Sequence, residues 1–166
     1  KGSPYDGGHR VPCFIRWPKG GLREPRDISY LSAHIDLLPT LIDLCGLISP
    51  EKVAFDGKSL KPLLTGEGLW QERALVVDSQ RVEQPQQWRN SAVMTERWRL
   101  IRGKELYDMN ADPGQKKNVA GENAGVVEKL RTVYEQWWGS VSTHFDTYCE
   151  IVLGAEAAKC VEINAM

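Results

Sequence analysis

The 166-residue sequence lacks any apolar run near the ~20 residues that a membrane-spanning helix needs. It also lacks an excess of either charge, with 21 Lys and Arg against 22 Asp and Glu. Without the apolar run, we expect no membrane span. A nucleic-acid-binding protein normally carries a basic face, so the balanced charge also argues against a nucleic-acid partner. With 42% hydrophobic and 26% charged residues, the composition is typical of a globular protein.

Cysteine is also scarce. Four cysteines are too few for a disulfide-built scaffold, and none forms the C-x-x-C pair of a zinc ribbon or thioredoxin-like site. Cys13 and Cys45 lie in apolar runs and are predicted to be buried thiols. Cys149 and Cys160 would pair only in an oxidising compartment, and the sequence leaves that pairing open.

Both ends of the chain look cut. No initiator Met or signal sequence precedes Lys1, and the last residues stop inside an alternating pattern that is typical of a strand. We therefore interpret the chain as a fragment, in which targeting signals of the parent protein cannot be read.

The first part of the sequence predicts an α/β arrangement. A continuous apolar run over residues 11–17 predicts a strand buried on both faces, as in a parallel sheet flanked by helices. Residues 36–46 predict a short, largely buried helix with Asp36 as its N-cap and a glycine at its end. Residues 55–66 predict a turn and one short helical turn, and the glycines that follow mark a boundary near residue 68.

The second part changes to the period of a sheet. Short β-like runs with short links predict an antiparallel sheet, and they cover residues 74–78, 91–95, 98–102 and 105–108. Gly103 stands first in the last link, which predicts a type II′ hairpin.

A long helix is predicted after the sheet. Asn123 is its expected cap and Gly139 its expected end. One apolar stripe should pack on a face of the sheet, and it consists of Val126, Leu130, Val133 and Trp137. Beyond it, residues 150–153 predict one more strand.

Motifs for self-contained catalysis are missing, since H-E-x-x-H, Walker A, G-x-G-x-x-G and G-x-S-x-G do not occur. Residues 108–112 resemble part of a calcium loop but lack the glycine and the distal glutamate of an EF-hand, so they predict a plain turn. From the residues alone, the prediction ends at a globular α/β chain.

Four stretches, in order, resemble motifs of the type I sulfatases, which belong to the alkaline-phosphatase-like superfamily. Residues 1–12 resemble K-G-[ST]-x-[YF]-E-G-G-x-R-[VE]-P, with Asp6 where the motif has Glu. Residues 35–46 are similar to D-x-x-P-T-L-x-x-L-x-G, and residues 56–66 to D-G-x-S-L-x-P-L-L-x-G. Residues 98–120 resemble W-K-L-I…E-L-Y-D-L-x-x-D-P…N-L-A, so the resemblance extends from residue 1 to about residue 138.

The resemblance implies an α/β fold: the C-terminal part of an alkaline-phosphatase-like fold, followed by a small antiparallel sheet packed against a long C-terminal helix. Residues 1–68 would be the C-terminal piece of the sulfatase catalytic domain. Residues 69–140 would be a sheet-plus-helix subdomain, and residues 141–166 a truncated C-terminal extension.

The resemblance also implies an activity, the hydrolysis of sulfate esters. In the family a formylglycine, made from Cys or Ser in C-x-[PA]-x-R, is the nucleophile, and a calcium ion polarises the sulfate. None of the four cysteines lies in that motif, so we expect the nucleophile and the calcium ligands upstream of Lys1 and no metal ligand in this chain. The fragment alone should be inactive, and the parent enzyme periplasmic or secreted.

Lys1 is the one candidate catalytic residue, because it occupies the lysine position that contacts sulfate in the family. His9 either lines the substrate pocket or is satisfied by solvent, and Arg10 should form a structural ion pair under the loop. Four aromatic residues are expected in the core: Trp98, Tyr107, Trp137 and Trp138. Trp88, if exposed, would help bind a carbohydrate.

The expected partner is a sulfated small molecule or a sulfated carbohydrate, and the sequence does not indicate an oligomeric state. Two alternatives stay open. A phosphate or phosphonate ester hydrolase shares the superfamily scaffold, and a non-catalytic scaffold or binding module would retain the same fold.

Overall fold

The computed structural model describes residues 2–49, 53–80 and 82–146, whose contacts form two compact units. The sheet unit joins the described residues up to Arg10, which include the short helix α1 (Asp6–His9), with those from Ala74 onward, and the middle unit covers Val11–Arg73. The division into residues 1–68, 69–140 and 141–166 stays a prediction, because contacts within one chain do not establish which segments fold independently.

The sheet unit contains a four-stranded antiparallel sheet in the order β1-β2-β3-β4, which confirms the predicted sheet. Its strands are β1 (Leu75–Asp78), β2 (Ser91–Met94), β3 (Trp98–Ile101) and β4 (Glu105–Asp108). The register aligns four apolar residues in one row across the sheet: Val76, Val93, Leu100 and Leu106. Because facing residues on neighbouring strands share a side of the sheet, this row forms one apolar face.

Helix α4 (Ala124–Ser142) packs on that face, as predicted. A short 3-10 turn, Ala120–Glu122, leads into the helix. The core consists of Val93, Leu100, Leu106, Val127, Leu130 and Tyr134. The deepest helical residues follow the spacing i, i+3, i+7 from Val127, so the buried line is rotated slightly from the predicted stripe.

Two details of the sheet unit differ from prediction. The helix continues past Gly139 to Ser142, because a glycine lowers helix propensity by only about 1 kcal/mol and tertiary packing overrides that cost. The last hairpin has positive φ at both Arg102 (50°) and Gly103 (66°), which is typical of a type I′ turn and not of the predicted type II′. The amide of Arg102 donates to Ser91 O at 2.9 Å, and this bond fixes the left-handed residue.

The middle unit consists of short helices joined by loops. It contains α2 (Leu37–Leu44), α3 (Lys61–Thr65) and two 3-10 turns, Pro18–Gly20 and His34–Asp36. Both predicted helical segments are confirmed, and Gly46 (φ 63°) ends α2 in the left-handed conformation as expected.

Other predictions for the middle unit were wrong. Residues 11–17 form no strand, and their one ladder contact is an isolated bridge from Trp17 to Leu22. A strand buried on both faces needs hydrogen-bonded neighbours, and the described residues offer none to this segment, whose Phe14 is 92% exposed. On α2, predicted to be largely buried, Leu41 is 56% exposed because the described residues do not cover that face. Cys13 and Cys45, predicted to be buried, are exposed for the same reason.

Some predictions fall on residues that the structure does not describe. Lys1, the strand over residues 150–153, and the pairing of Cys149 with Cys160 lie outside the described ranges. Within those ranges, no helix has the length and apolar character needed to cross a membrane.

Candidate functional site

The segment that resembles the first sulfatase motif folds into a turn and a short helix, α1 (Asp6–His9). We call residues 2–10 the glycine loop. Gly2 has φ 81°, a conformation that favours glycine. At Gly8, an added Cβ would lie 2.3 Å from Ser3 O, so the close approach of the two backbone segments requires a residue without a side chain. Glycine at position 8 therefore allows the two backbone segments to approach more closely than any residue with a side chain would.

Asp6 lies at the centre of the contacts that bind the glycine loop to the sheet unit. Its carboxylate accepts from Arg99 Nε on β3 at 2.9 Å, and both residues are buried, with 8% and 9% of their surface exposed. The amide of Asp6 donates to Gln115 Oε1 at 2.7 Å. Arg10 lies 3.6 Å from the other carboxylate oxygen, but its side chain is 78% exposed. The ion pair beneath the loop is therefore made by Arg99, and the one predicted for Arg10 forms on the outer surface.

Tyr5 anchors the loop to β4 through a shared carboxylate. The hydroxyls of Tyr5 and Tyr107 both donate to Glu105 Oε2, at 2.7 and 2.6 Å. The hydrogen bond to Glu105, together with burial, raises the pKa of Tyr5. Burial, followed by the same carboxylate, raises the pKa of Tyr107. Both phenols therefore stay protonated as donors through neutral pH.

The two ends of the glycine loop are also held. Asn90 Nδ2 donates to Gly2 O at 2.8 Å, next to the position of Lys1 in the sequence. His9 is 19% exposed at its side chain, and its Nε2 lies 3.0 Å from Met94 Sδ on β2. Among the described residues, His9 Nδ1 has no hydrogen-bond partner. His9 thus faces the sheet, and its contact with a substrate stays a proposal.

The aromatic residues near α4 form a packed cluster. Trp98, Trp137 and Trp138 pack against the core, and Tyr107 is buried, which confirms their predicted place. Trp88 is not an exposed platform, because its ring stacks on Tyr134 with 3.6 Å between centroids. Its indole Nε1 donates to Glu135 at 2.9 Å.

In the middle unit, Asp36 is buried and bound by Arg73. Its carboxylate also accepts the amides of Ala33 (2.8 Å) and Lys58 (2.9 Å), so the predicted bond to the first turn of α2 is wrong. Burial alone would raise the pKa of Asp36, but the hydrogen bonds from Arg73 and the two amides outweigh it and lower the pKa. Asp36 therefore connects three backbone segments, at Ala33, Lys58 and Arg73, and its carboxylate has a structural role.

The described residues do not fit a calcium site. Within residues 2–49, 53–80 and 82–146, no three His, Cys, Asp or Glu side chains are grouped so that they could hold a metal ion. The turn over residues 108–112 is closed by the amide of Asp112, which donates to Asp108 O at 2.7 Å. The Asp112 carboxylate accepts the amides of Lys116 and Lys117, so this segment is the plain turn that the sequence predicts.

Sequence reasoning missed the partners of the glycine loop, namely Asn90, Arg99, Glu105 and Gln115. Each contacts a loop residue 88 to 109 positions away, and no local pattern indicates such a pairing. The motifs offered no signal for these pairings beyond the departure at Asp6 from the Glu of the first motif.

Comparisons with known proteins agree with the motifs. The family model described as N-sulphoglucosamine sulphohydrolase, C-terminal, matches residues 1–137. An N-acetylglucosamine-6-O-sulfatase of Bacteroides thetaiotaomicron is 30% identical over 128 residues, which are 71% of this chain and 22% of that protein. Human arylsulfatase A is 29% identical over 163 residues, which are 82% of this chain and 31% of that protein.

Among solved structures, a 2-O GAG sulfatase matches with a TM-score of 0.47 and 27% identity, over 69% of this chain and 26% of that chain. The chain spans less than a third of the length of the two curated relatives above. Since the family model matches 137 of the 166 residues, the chain belongs to the type I sulfatases, in the family of the N-sulphoglucosamine sulphohydrolase C-terminal region.

Proposed function

We propose that this chain is the C-terminal part of an enzyme that hydrolyses sulfate esters, with a sulfated carbohydrate as the substrate class. The observation that carries the proposal is the family match over residues 1–137. The substrate class is supported by a relative named N-acetylglucosamine-6-O-sulfatase, 30% identical to this chain. The parent protein is proposed to be periplasmic or secreted, as the resemblance implies.

The proposed reaction breaks the S–O bond of the ester. Overall, the oxygen of one water adds to sulfur, the released alcohol oxygen takes a proton, and inorganic sulfate leaves. As the resemblance implies, a formylglycine would supply the nucleophile, and a bound calcium ion would supply positive charge to polarise the sulfate. We place both in the part of the protein that precedes Lys1, because the described residues of this chain provide neither a metal site nor the C-x-[PA]-x-R motif.

The contribution of this chain is the ammonium group of Lys1. An ammonium supplies three donors to sulfate oxygens, whose negative charge rises as the S–O bond breaks. The glycine loop that follows Lys1 supports this role, because it is attached to the sheet unit at two points. Buried Arg99 binds the Asp6 carboxylate, and the side-chain amide of Asn90 donates to Gly2 O. His9 is a second, weaker candidate for contact with the substrate.

The full-length enzyme tests the activity. It should be co-expressed with a formylglycine-generating enzyme, supplied with calcium, and assayed with an aryl sulfate and with 6-O-sulfated N-acetylglucosamine. We expect release of sulfate. Hydrolysis of phosphate or phosphonate esters without sulfate release would favour the related hydrolases, and no turnover of any ester would favour a non-catalytic scaffold.

Replacement of Lys1 tests its role in that enzyme. Lys1→Ala should lower kcat by about one to three orders of magnitude, the range for the loss of a group that stabilises developing charge. Lys129→Ala is the matched control, since it removes an exposed lysine from α4, far along the sequence from the glycine loop. An unchanged rate in Lys1→Ala would remove Lys1 from the site. The isolated chain should release no sulfate at any calcium concentration, and turnover by the pure chain would mean that the nucleophile lies within it.

A further inference from the structure

Three aromatic side chains border a cleft at the C-terminal half of α4. Trp137 and Trp138 lie on the helix and Phe145 follows it, and the cleft beside them has a volume of about 240 Å³. The ring planes of Trp138 and Phe145 meet at 72°, and those of Trp137 and Trp138 at 55°. The three rings therefore face in different directions around the cleft, which we call the aromatic cleft.

The size of the aromatic cleft restricts what it can hold. Sites for drug-sized ligands have volumes of about 300–1,000 Å³, and this cleft is smaller. Phe145 at its edge is 41% exposed, so a ligand can reach the ring from solvent. The cleft therefore has room for a small ion or molecule and not for an oligosaccharide.

One carboxylate lines the same cleft, that of Asp78 at the end of β1. Its Oδ1 accepts a hydrogen bond from Gln80 Nε2 at 2.9 Å, and its Oδ2 accepts one from the Tyr134 hydroxyl at 3.1 Å. Gln80 is fixed in turn by the backbone of Gln86, with bonds of 2.8 and 2.9 Å. Because each carboxylate oxygen can accept more than one bond, Asp78 is held in place and can still bind a ligand.

The charge of Asp78 has no cationic partner among the described residues. Asp108, which ends β4 as Asp78 ends β1, is paired with Arg97 at 2.7 Å, but no such pair is formed by Asp78 in the described part of the chain. Pro85 and Val141 complete the lining, which includes no described Lys, Arg or His. The cleft thus combines one uncompensated negative charge with aromatic rings, whose faces are also negative.

We infer that the aromatic cleft binds a small organic cation that carries an alkylammonium group. A cation within about 6 Å of an aromatic face is attracted by the quadrupole of the ring, and quaternary ammonium groups are recognised in this way by sets of aromatic residues. The alkyl groups would pack against the rings while the charge meets the Asp78 carboxylate. Such binding needs neither a nucleophile nor a sulfate, so it does not depend on the proposed sulfatase function.

Choline and its neutral carbon analogue, 3,3-dimethylbutan-1-ol, test the inference on the full chain. The two molecules have nearly the same shape and differ in charge, and the indole N–H signals of Trp137 and Trp138 report binding by NMR. A small ion makes few contacts, so we expect a dissociation constant of about 0.1–10 mM for choline. The analogue should bind about tenfold more weakly, because it lacks the cation–π attraction and the charge that meets Asp78.

Three outcomes of this titration would overturn the inference. Equal affinity for the two molecules would show an apolar pocket without preference for charge. Tighter binding of N-acetylglucosamine than of choline would show a sugar site. The absence of any shift at roughly 100 mM choline would show that the cleft binds no such cation.

Replacement of lining residues locates the binding. Asp78→Asn keeps the shape of the side chain but removes its charge, so choline should bind about tenfold more weakly while the neutral analogue is unaffected. Asp108→Asn is the matched control, because Asp108 also ends a strand but does not line the aromatic cleft, and its affinity for choline should equal that of the wild type.

Phe145→Leu tests the rings independently of Asp78 and its bond to Tyr134. It removes one partly exposed ring and should weaken choline binding about 2- to 10-fold. Phe14→Leu is its control, since Phe14 is 92% exposed in the middle unit and does not line the aromatic cleft. If neither Asp78→Asn nor Phe145→Leu weakens the binding of choline, the cation does not bind in the aromatic cleft.

Arg81 follows Gln80 in the sequence and lies outside the described residues. Arg81→Gln therefore tests whether the chain supplies its own cation to the cleft. We expect the wild type and this variant to bind choline with the same affinity. Binding by the variant alone would mean that a guanidinium of the chain already occupies the cleft, and would overturn the inference.

Discussion

Arg73 binds both carboxylate oxygens of Asp36 from 37 positions away in the sequence. Nη1 donates to Oδ1 at 2.7 Å, and Nη2 donates to Oδ2 and to Leu31 O. The exposed fractions of the two side chains are 7% and 0%, and the guanidinium also lies over the ring of Trp70, 5.2 Å from its centroid. This pair connects the start of α2 with the last residue of the middle unit.

Breaking this pair should be costly. Arg73→Ala leaves a buried carboxylate without its counter-charge, and we expect the free energy of unfolding to fall by about 3–5 kcal/mol. Urea unfolding of the chain measures it. Lys61→Ala is the control, because it breaks an exposed pair with Asp43 (3.1 Å) that should contribute less than about 1 kcal/mol. Equal losses in the two variants would contradict the distinction between buried and exposed pairs.

The lowered pKa of Asp36 predicts a loss of stability in acid. The unfolded chain takes up a proton on this carboxyl near its ordinary pKa of about 3.9, whereas the folded chain does so only at lower pH. The stabilising contribution is therefore fully present above about pH 5 and decreases as the pH falls toward the folded pKa. Unfolding free energies measured against pH should show this slope in the wild type and a smaller slope in Asp36→Asn. Identical slopes would mean that other carboxyls account for it.

The raised pKa of Tyr134 predicts the opposite effect, a loss of stability at alkaline pH. Burial, with a contribution from the charge of Asp78, raises its pKa to about 12, although the bond from the Trp88 amide opposes the shift. The neutral phenol is thus favoured in the folded state, and its contribution to stability is present below about pH 10 and lost as the pH rises toward 12.

Tyr134→Phe checks this prediction. The ring keeps its stack on Trp88, but the hydroxyl no longer donates to Asp78 or accepts the Trp88 amide (2.9 Å). We expect a loss of about 1–3 kcal/mol at neutral pH, because the Trp88 amide is left without its acceptor. The difference between the two proteins should shrink above about pH 10. A difference that is constant across alkaline pH would contradict the raised pKa.

Two adjacent glycines predict opposite outcomes on replacement. Gly8→Ala would bring a Cβ within 2.3 Å of Ser3 O, so the glycine loop must open and its amides should exchange faster with deuterium. Gly7→Ala meets no atom within 4 Å, and alanine in α1 should leave stability unchanged or raise it by up to about 1 kcal/mol. Hydrogen exchange of residues 2–10 distinguishes the two. Similar protection in both variants would mean that the loop does not need the close approach at Gly8.

The local patterns of the sequence predicted the elements of the sheet unit well. The alternation in β1 to β4 and the spacing of Val126, Leu130 and Val133 in α4 are determined by nearest neighbours, so they are visible without coordinates. The hairpin at Arg102 and Gly103 was predicted with the wrong turn type, because the choice depends on a bond to Ser91 on another strand.

Predictions that depended on burial failed in the middle unit. Apolar composition indicated buried positions for Phe14, Cys13 and the face of α2 that carries Leu41, yet the described residues leave all of these exposed. An apolar residue indicates a preference for burial, but only a packed neighbour removes it from water. The prediction for Asp36 failed for a different reason: the helix pattern over residues 36–46 predicted a local N-cap, whereas Arg73 supplies a partner that no local pattern can show.

The sequence by itself determined the family, through four ordered motifs, and the order of helices and strands, through apolar periodicity. Only the tertiary structure decided how the glycine loop is held, because Arg99 and Gln115 reach Asp6 across 93 and 109 positions. Local patterns depend on residues a few positions apart. A buried carboxylate accepts whichever donor the folded chain brings to it, and that donor is known only once the strands are paired.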